Sequence, residues 1–125
     1  MKNNELEISY ENFVSILMKN PLEIYETLDE EKIDVLHAAV GVSGEAGELL
    51  DGVKKWVVYN KELDRQNIVE ELGDLTFYMQ ALMNRLEITR EEILESNVGK
   101  LLVRYEGLKY SDEAAQGRAD KNSNN

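Results

Sequence analysis

Two stretches, Val42-Ser-Gly-Glu45-Ala-Gly-Glu48-Leu-Leu50 and Ile68-Val-Glu-Glu71-Leu-Gly-Asp74-Leu75, repeat one grammar of acid, glycine and aliphatic residue at an interval of twenty-six. The apolar residues around them step by four and three: Val35, Ala39, Val42, Ala46, Leu49, Val53 and Trp56 in the first, Ile68, Leu72, Leu75, Met79, Leu82 and Leu86 in the second. That rhythm is the seam of a packed helix. A helix brings residues three apart onto one face, so Glu45 and Glu48 share a flank of the first seam, and Glu71 and Asp74 share the corresponding flank of the second. Spacing by itself decides little in so acidic a chain, since acids three apart also occur at 23/26, 26/29, 31/34, 48/51 and 92/95. The four acids of the matched pairs lie beside the seams with glycines around them, whereas Glu30, Glu31 and Glu62 sit in more freely polar text.

At 125 residues the chain has room for a single modest core. One helical domain is expected over residues 1–108, with 109–125 as a polar, flexible tail that lacks a core face. No run approaches the apolar length of a membrane span, and the opening MKNNELEISYENF lacks the basic and apolar regions of a signal peptide, so a cytoplasmic protein with no membrane partner is expected. There is no cysteine and His37 is the lone histidine, which excludes thiolate sites and any zinc site built on several histidines. A formal charge of -11 argues against nucleic acid as a partner, because phosphate contacts need a basic face. The same charge is compatible with a small phosphorylated ligand when divalent cations stand between its phosphates and the carboxylates.

The helices follow from the punctuation. Tyr10, Phe13 and Leu17, with Leu6 before them, predict a first helix over 9–19, stopped by Pro21. Residues 22–28 carry one helical turn at most. Thr27 with Glu30 reads as a capping box that opens a long helix near 28, running to about Tyr59. After a short polar connection at 60–63, Asp64 is the expected N-cap of a third helix reaching about Glu87. Thr89 with Glu92 opens a fourth, to about Tyr105, with Leu94, Val98, Leu101 and Tyr105 as its seam. An all-α fold results, a four- to five-helix antiparallel bundle in which the two acidic helices form a hairpin. Counted from the loop, the acidic pairs differ in height by only about 8 Å at about 1.5 Å per residue, so they can share one cavity. Gly41 and Gly52 lie on the acidic flank of the long helix, where bare backbone serves either the approach of a ligand or a tight helix crossing.

Four carboxylates in one cavity repel one another and call for cations. Oxygen-only ligands select hard ions, and Mg2+, with Mn2+ as substitute, fits better than Ca2+, whose loop motif is absent. His37 follows no glutamate at the Glu-x-x-His spacing of helical di-iron sites. Mg2+ held by carboxylates completes its shell with water and substrate phosphates, and Lys100 and Arg104 on the fourth helix can meet further phosphate oxygens. A polyphosphate ligand and phosphoanhydride hydrolysis follow. Lys54 and Lys55 either reach phosphates or complement the helix dipole in solvent. Trp56 belongs to the seam or to a subunit interface. The rival class is a non-catalytic helical interaction module whose acidic faces bind a basic partner or merely solvate a coiled-coil assembly; within enzymes, the rival is hydrolysis of another phosphoanhydride, such as a signalling nucleotide.

Gly44-Glu45-Ala-Gly-Glu48, then Glu70-Glu71-Leu-Gly-Asp74-Leu, then Asn97-x-x-Lys100-Leu with Arg104-Tyr105 resemble the MazG-like all-alpha nucleotide pyrophosphohydrolases over residues 30–106. The resemblance implies hydrolysis of a nucleoside triphosphate to the monophosphate and pyrophosphate by a homodimer or homotetramer, with Mg2+ on Glu45, Glu48, Glu71 and Asp74. It also implies that Tyr78, Asn97 and Lys100 contact substrate. One departure is Gly44, where many members carry a further glutamate; Glu45 or Glu48 must then act as general base if a residue at 44 does so elsewhere.

Overall fold

A computed structural model of the protein describes residues 8–122, which contain seven α-helices, one 3-10 turn and no strand. The all-α expectation therefore holds for the described residues. The chain divides into two compact units, 1–33 and 34–125.

In the first unit, Ser9 caps α1 (Tyr10–Leu17), its hydroxyl accepting from the Asn12 amide at 3.2 Å. Leu6, placed on this helix's seam from sequence, lies outside the described residues. The Asn20 side chain accepts from Leu22 N at 3.0 Å to open α2 (Pro21–Tyr25), where Pro21 takes the first position and gives up no bond, since that amide has no intrahelical partner. This is the single turn expected in that region. The cap of α3 (Glu30–Val57) differs from the sequence expectation: Asp29 Oδ1 accepts from Lys32 N at 2.8 Å, while the Thr27 hydroxyl donates backward to Ile24 O at 3.1 Å. An ionised carboxylate is the stronger acceptor at the positive end of a helix, and Thr27 is left to close α2.

The second unit is organised by α3 and α4 (Arg65–Leu86). Val58 and Tyr59 both donate to Lys54 O, and Asn60 turns the chain with φ 50. Asp64 then caps α4 as expected, accepting from Asn67 N at 3.0 Å. Residue pairs across the two helices fix an antiparallel register. Asp34 meets Arg85 at 3.7 Å, the His37 and Tyr78 rings lie 6.2 Å apart, and Gly52 faces Asn67 and Ile68. In α4 every second seam residue, Ile68, Leu75 and Leu82, seven positions apart, is half-buried, whereas the interleaved Leu72, Met79 and Leu86 are 46%, 46% and 41% exposed. Each heptad thus has one apolar row that the hairpin half-buries and a second row that the hairpin itself leaves more exposed. Ala38 is the one buried apolar residue among those described.

Glu87 leaves α4 in the left-handed region, its amide reaching Met83 O and Asn84 O, and Thr89 caps α5 (Arg90–Arg104) by accepting from Glu92 N at 3.2 Å. The segment expected as a polar tail follows a 3-10 turn at Glu106–Leu108 and forms two short helices, α6 (Asp112–Gly117) and α7 (Ala119–Asn122), both of which pack on α5. An ion pair joins α5 to α7 here, between half-buried Arg104 and buried Asp120.

Candidate metal and active site

The helical period and the hairpin register act together at one point. Glu45 comes from the middle of α3, Glu71 and Asp74 from consecutive turns of α4, and one carboxylate oxygen from each lies within 4.8 Å of the other two. Glu45 and Glu71 are half-buried and Asp74 is exposed, so the group opens to solvent on one side. Three carboxylates this close disfavour one another's charge. The Glu45 carboxyl is accordingly held above the ordinary range, first by burial, then by the charge of Asp74 and by a hydrogen bond with Glu71, with the charges of Glu71 and Glu48 adding. A divalent cation would reverse that pressure, and the donors are all hard oxygens, so the residues present fit such an ion.

Glu48, the fourth expected ligand, is not in this group; it is exposed one turn beyond Glu45. Its charge reaches Glu45 and Lys55. Lys55 pairs with Asp51 at 2.9 Å, both side chains more than half exposed, and Lys54 Nζ stands 5.4 Å from the centre of the Tyr59 ring. Both lysines thus have local partners.

The two glycines on the acidic flank are filled by the protein itself. A methyl group at Gly41 would run into the Tyr78 ring, and one at Gly52 would stand 2.9 Å from Asn67 Oδ1. They serve the helix crossing. Tyr78 is half-buried in that crossing, between Gly41 and the rings of His37 and Phe77, the latter 5.3 Å away and edge-on.

Asn97 and Lys100 lie together on α5, where they line a groove with Ile88, Glu92, Ile93 and Ser96; none of Glu45, Glu71 and Asp74 lines it. Arg104, on the same helix, is engaged: Nε donates to Asp120 Oδ1 at 2.8 Å and Nη2 to Oδ2 at 3.3 Å. The guanidinium holds the Asp120 carboxyl below its usual range. Sequence reasoning missed Asp120, which sits in polar text sixteen residues on with nothing to mark it. It also missed Asn67, whose Nδ2 donates to Glu71 Oε1 at 3.2 Å; the four-residue spacing of amide and acid on one helix was the available signal.

The site is thus an antiparallel helical hairpin carrying a carboxylate group suited to divalent cations. Residues 36–108 match the MazG nucleotide pyrophosphohydrolase domain, and the chain belongs to that family. Gene 37 protein of Mycobacterium phage L5 is 33% identical over 70 residues, which cover 52% of this chain and 60% of the phage protein. The chain therefore spans less than two thirds of that relative's length. No solved structure matches significantly.

Proposed function

We propose that the protein hydrolyses a nucleoside triphosphate to the monophosphate and pyrophosphate, using Mg2+, with Mn2+ able to substitute. The observation that carries this reading is the convergence of Glu45, Glu71 and Asp74 oxygens from two helices within 4.8 Å in a chain of this family. These three residues would hold the cation, with Glu48 at the margin of the group. When bound, Mg2+ supplies neutralising charge for the carboxylates and polarises the phosphoryl oxygens.

The chain's own residues then divide the work. Glu48, exposed and outside the group of three, is free to take the proton of a water that attacks the α-phosphorus, with Glu45 as the alternative base. The new bond joins water oxygen to the α-phosphorus, and the bond to the bridging oxygen breaks, so the electron pair leaves with pyrophosphate. Asn97 and Lys100, side by side in one groove, are assigned to substrate oxygens, and Tyr78 to the wall beside Asp74. Arg104 and Lys55 join them only after leaving Asp120 and Asp51. The more exposed seam row of α4 supports a homodimer or homotetramer, in which a second copy buries it and brings further elements to the site. Among the described residues no helix is long and apolar enough to cross a membrane; a cytoplasmic location is part of the proposal.

Product identification tests this reading. With Mg2+ and a panel of ribo- and deoxynucleoside triphosphates, pyrophosphate and monophosphate are the expected products. Orthophosphate with diphosphate points to another phosphoanhydride hydrolase, and no turnover of any nucleotide favours an interaction module. Glu71→Gln and Asp74→Asn are each expected to lower turnover by on the order of a hundredfold or more.

A further inference from the structure

Two amide-to-carboxylate pairs stand next to each other at the start of α4. Gln66 Nε2 donates to Glu70 Oε1 at 3.3 Å, and Asn67 Nδ2 donates to Glu71 Oε1 at 3.2 Å. They have the same chemistry and the same four-residue spacing, and they differ in surroundings. The Gln66 pair is exposed, whereas the Asn67 pair is part-buried and lies against α3. Opposite it α3 presents Gly52, where a methyl group would stand 2.9 Å from Asn67 Oδ1 and 3.4 Å from Ile68 Cδ1. A carboxylate can only accept, so the amide must turn its NH2 side to Glu71 and its oxygen toward Gly52. The backbone end of Asn67 is fixed as well, its amide N donating to the Asp64 cap at 3.0 Å. Asn67 is thus held at both ends, in a space that exists because residue 52 has no side chain.

We propose that Asn67, seated in the space left by Gly52, is a positioning residue that holds the Glu71 carboxylate through Oε1 in the orientation in which it meets Glu45 and Asp74. Ligating carboxylates are generally oriented by such outer hydrogen bonds, and an untethered glutamate with three rotatable bonds must be ordered by the cation itself. Glu70, beside it in sequence, carries the same kind of tether but is not among the converging residues. Gln66 therefore serves as an internal control for ordinary helix support. The inference rests on reading Glu45, Glu71 and Asp74 as a metal site.

The test is Mn2+ binding to the full chain, measured without nucleotide by the loss of the free-ion electron paramagnetic resonance signal. Asn67→Leu keeps the branching at Cγ and removes the donor; it is expected to weaken Mn2+ binding about 10- to 100-fold, while Gln66→Leu changes it less than about twofold. Gly52→Ala, which pushes on the amide from the other side, is expected to weaken binding in the same direction and serves if Asn67→Leu does not fold. Binding within about twofold of the parent for either folded Asn67→Leu or Gly52→Ala overturns the inference, as does an equal loss in Gln66→Leu, which would mark a general helix effect. If Glu71→Gln abolishes binding and Asn67→Leu does not, only the role of Asn67 falls. If the parent chain binds no Mn2+, the metal reading falls with it.

Discussion

Gly41 of α3 lies so close to the face of Tyr78 of α4 that a single added methyl group would enter the ring. The contact sets the distance between the helices one turn from Asp74, and so bears on whether acids from α3 and α4 can meet. Gly41→Ala is expected to destabilise the protein by about 1–3 kcal/mol through overpacking, although alanine by itself favours a helix by about 0.5–1 kcal/mol over glycine. Gly44→Ala, with nothing within 4 Å of the added carbon, is expected to show only the favourable part in the single chain. Urea unfolding of the two variants side by side checks the contrast.

Helical period made the hairpin and its acids legible. Seams stepping by four and three lie in the sequence itself, and so does the flank on which Glu45, Glu71 and Asp74 fall. What the period cannot give is the rotation and height of one helix against the other. That is why Glu48, on the same flank as Glu45 but about 60° round and one turn on, drops out of the group, and why Gly41 and Gly52 turn out to seat Tyr78 and Asn67. Thr27, read as the cap of α3 from its spacing to Glu30, is instead engaged by α2 through Ile24 O, and Asp29 takes the cap, a division that the spacing does not reveal. Asp120 was illegible for another reason: a single acid in a polar stretch has no pattern, and only its partner Arg104 on α5 gives it a destination.

Crowding at Glu45 leads to a trade between stability and binding. Its carboxyl is raised by burial and by the acids around it, so without metal the folded state carries a repulsion that the unfolded chain relieves. Glu45→Gln removes one charge at nearly constant shape. The variant is expected to melt above the parent at neutral pH in the presence of a chelator, and to lose the stabilisation that millimolar Mg2+ or Mn2+ is expected to give the parent. Thermal melts with and without metal decide it: a variant less stable than the parent in chelator contradicts the crowding.

Asp120 supplies a pH dependence of the opposite kind. Its carboxyl is lowered, chiefly by the hydrogen bonds from Arg104, so the folded chain binds this proton less readily than the unfolded one. The stabilisation is therefore present above the ordinary aspartate range, about 3.9, and is lost as pH falls through the lowered folded value. Asp120→Asn should remove that dependence and loosen α7 already at neutral pH. Limited trypsin digestion, which cuts after Arg118 and Lys121, is expected to clip the variant sooner than the parent, with the remainder of the chain left intact.

Leu72 and Met79, seven residues apart on α4 and both 46% exposed, occupy the row that alternates with the hairpin's own half-buried residues. Full burial of a large apolar side chain is worth about 1.5–3 kcal/mol, so covering residues that are about half exposed gains roughly half of that each, and the hairpin itself does not cover them. A second copy of the chain supplies a matching apolar surface, since a two-fold interface repeats the same patch on both sides. The expected state in solution is a dimer or tetramer. Placing a charge at the centre of the row, as Leu72→Glu with Met79→Glu, is expected to dissociate it and to lower the melting temperature, because the exposed row then has no partner. Sedimentation velocity across a hundredfold range of concentration reads both arms: a parent that stays monomeric throughout, or a double variant that assembles as the parent does, removes this surface as the interface.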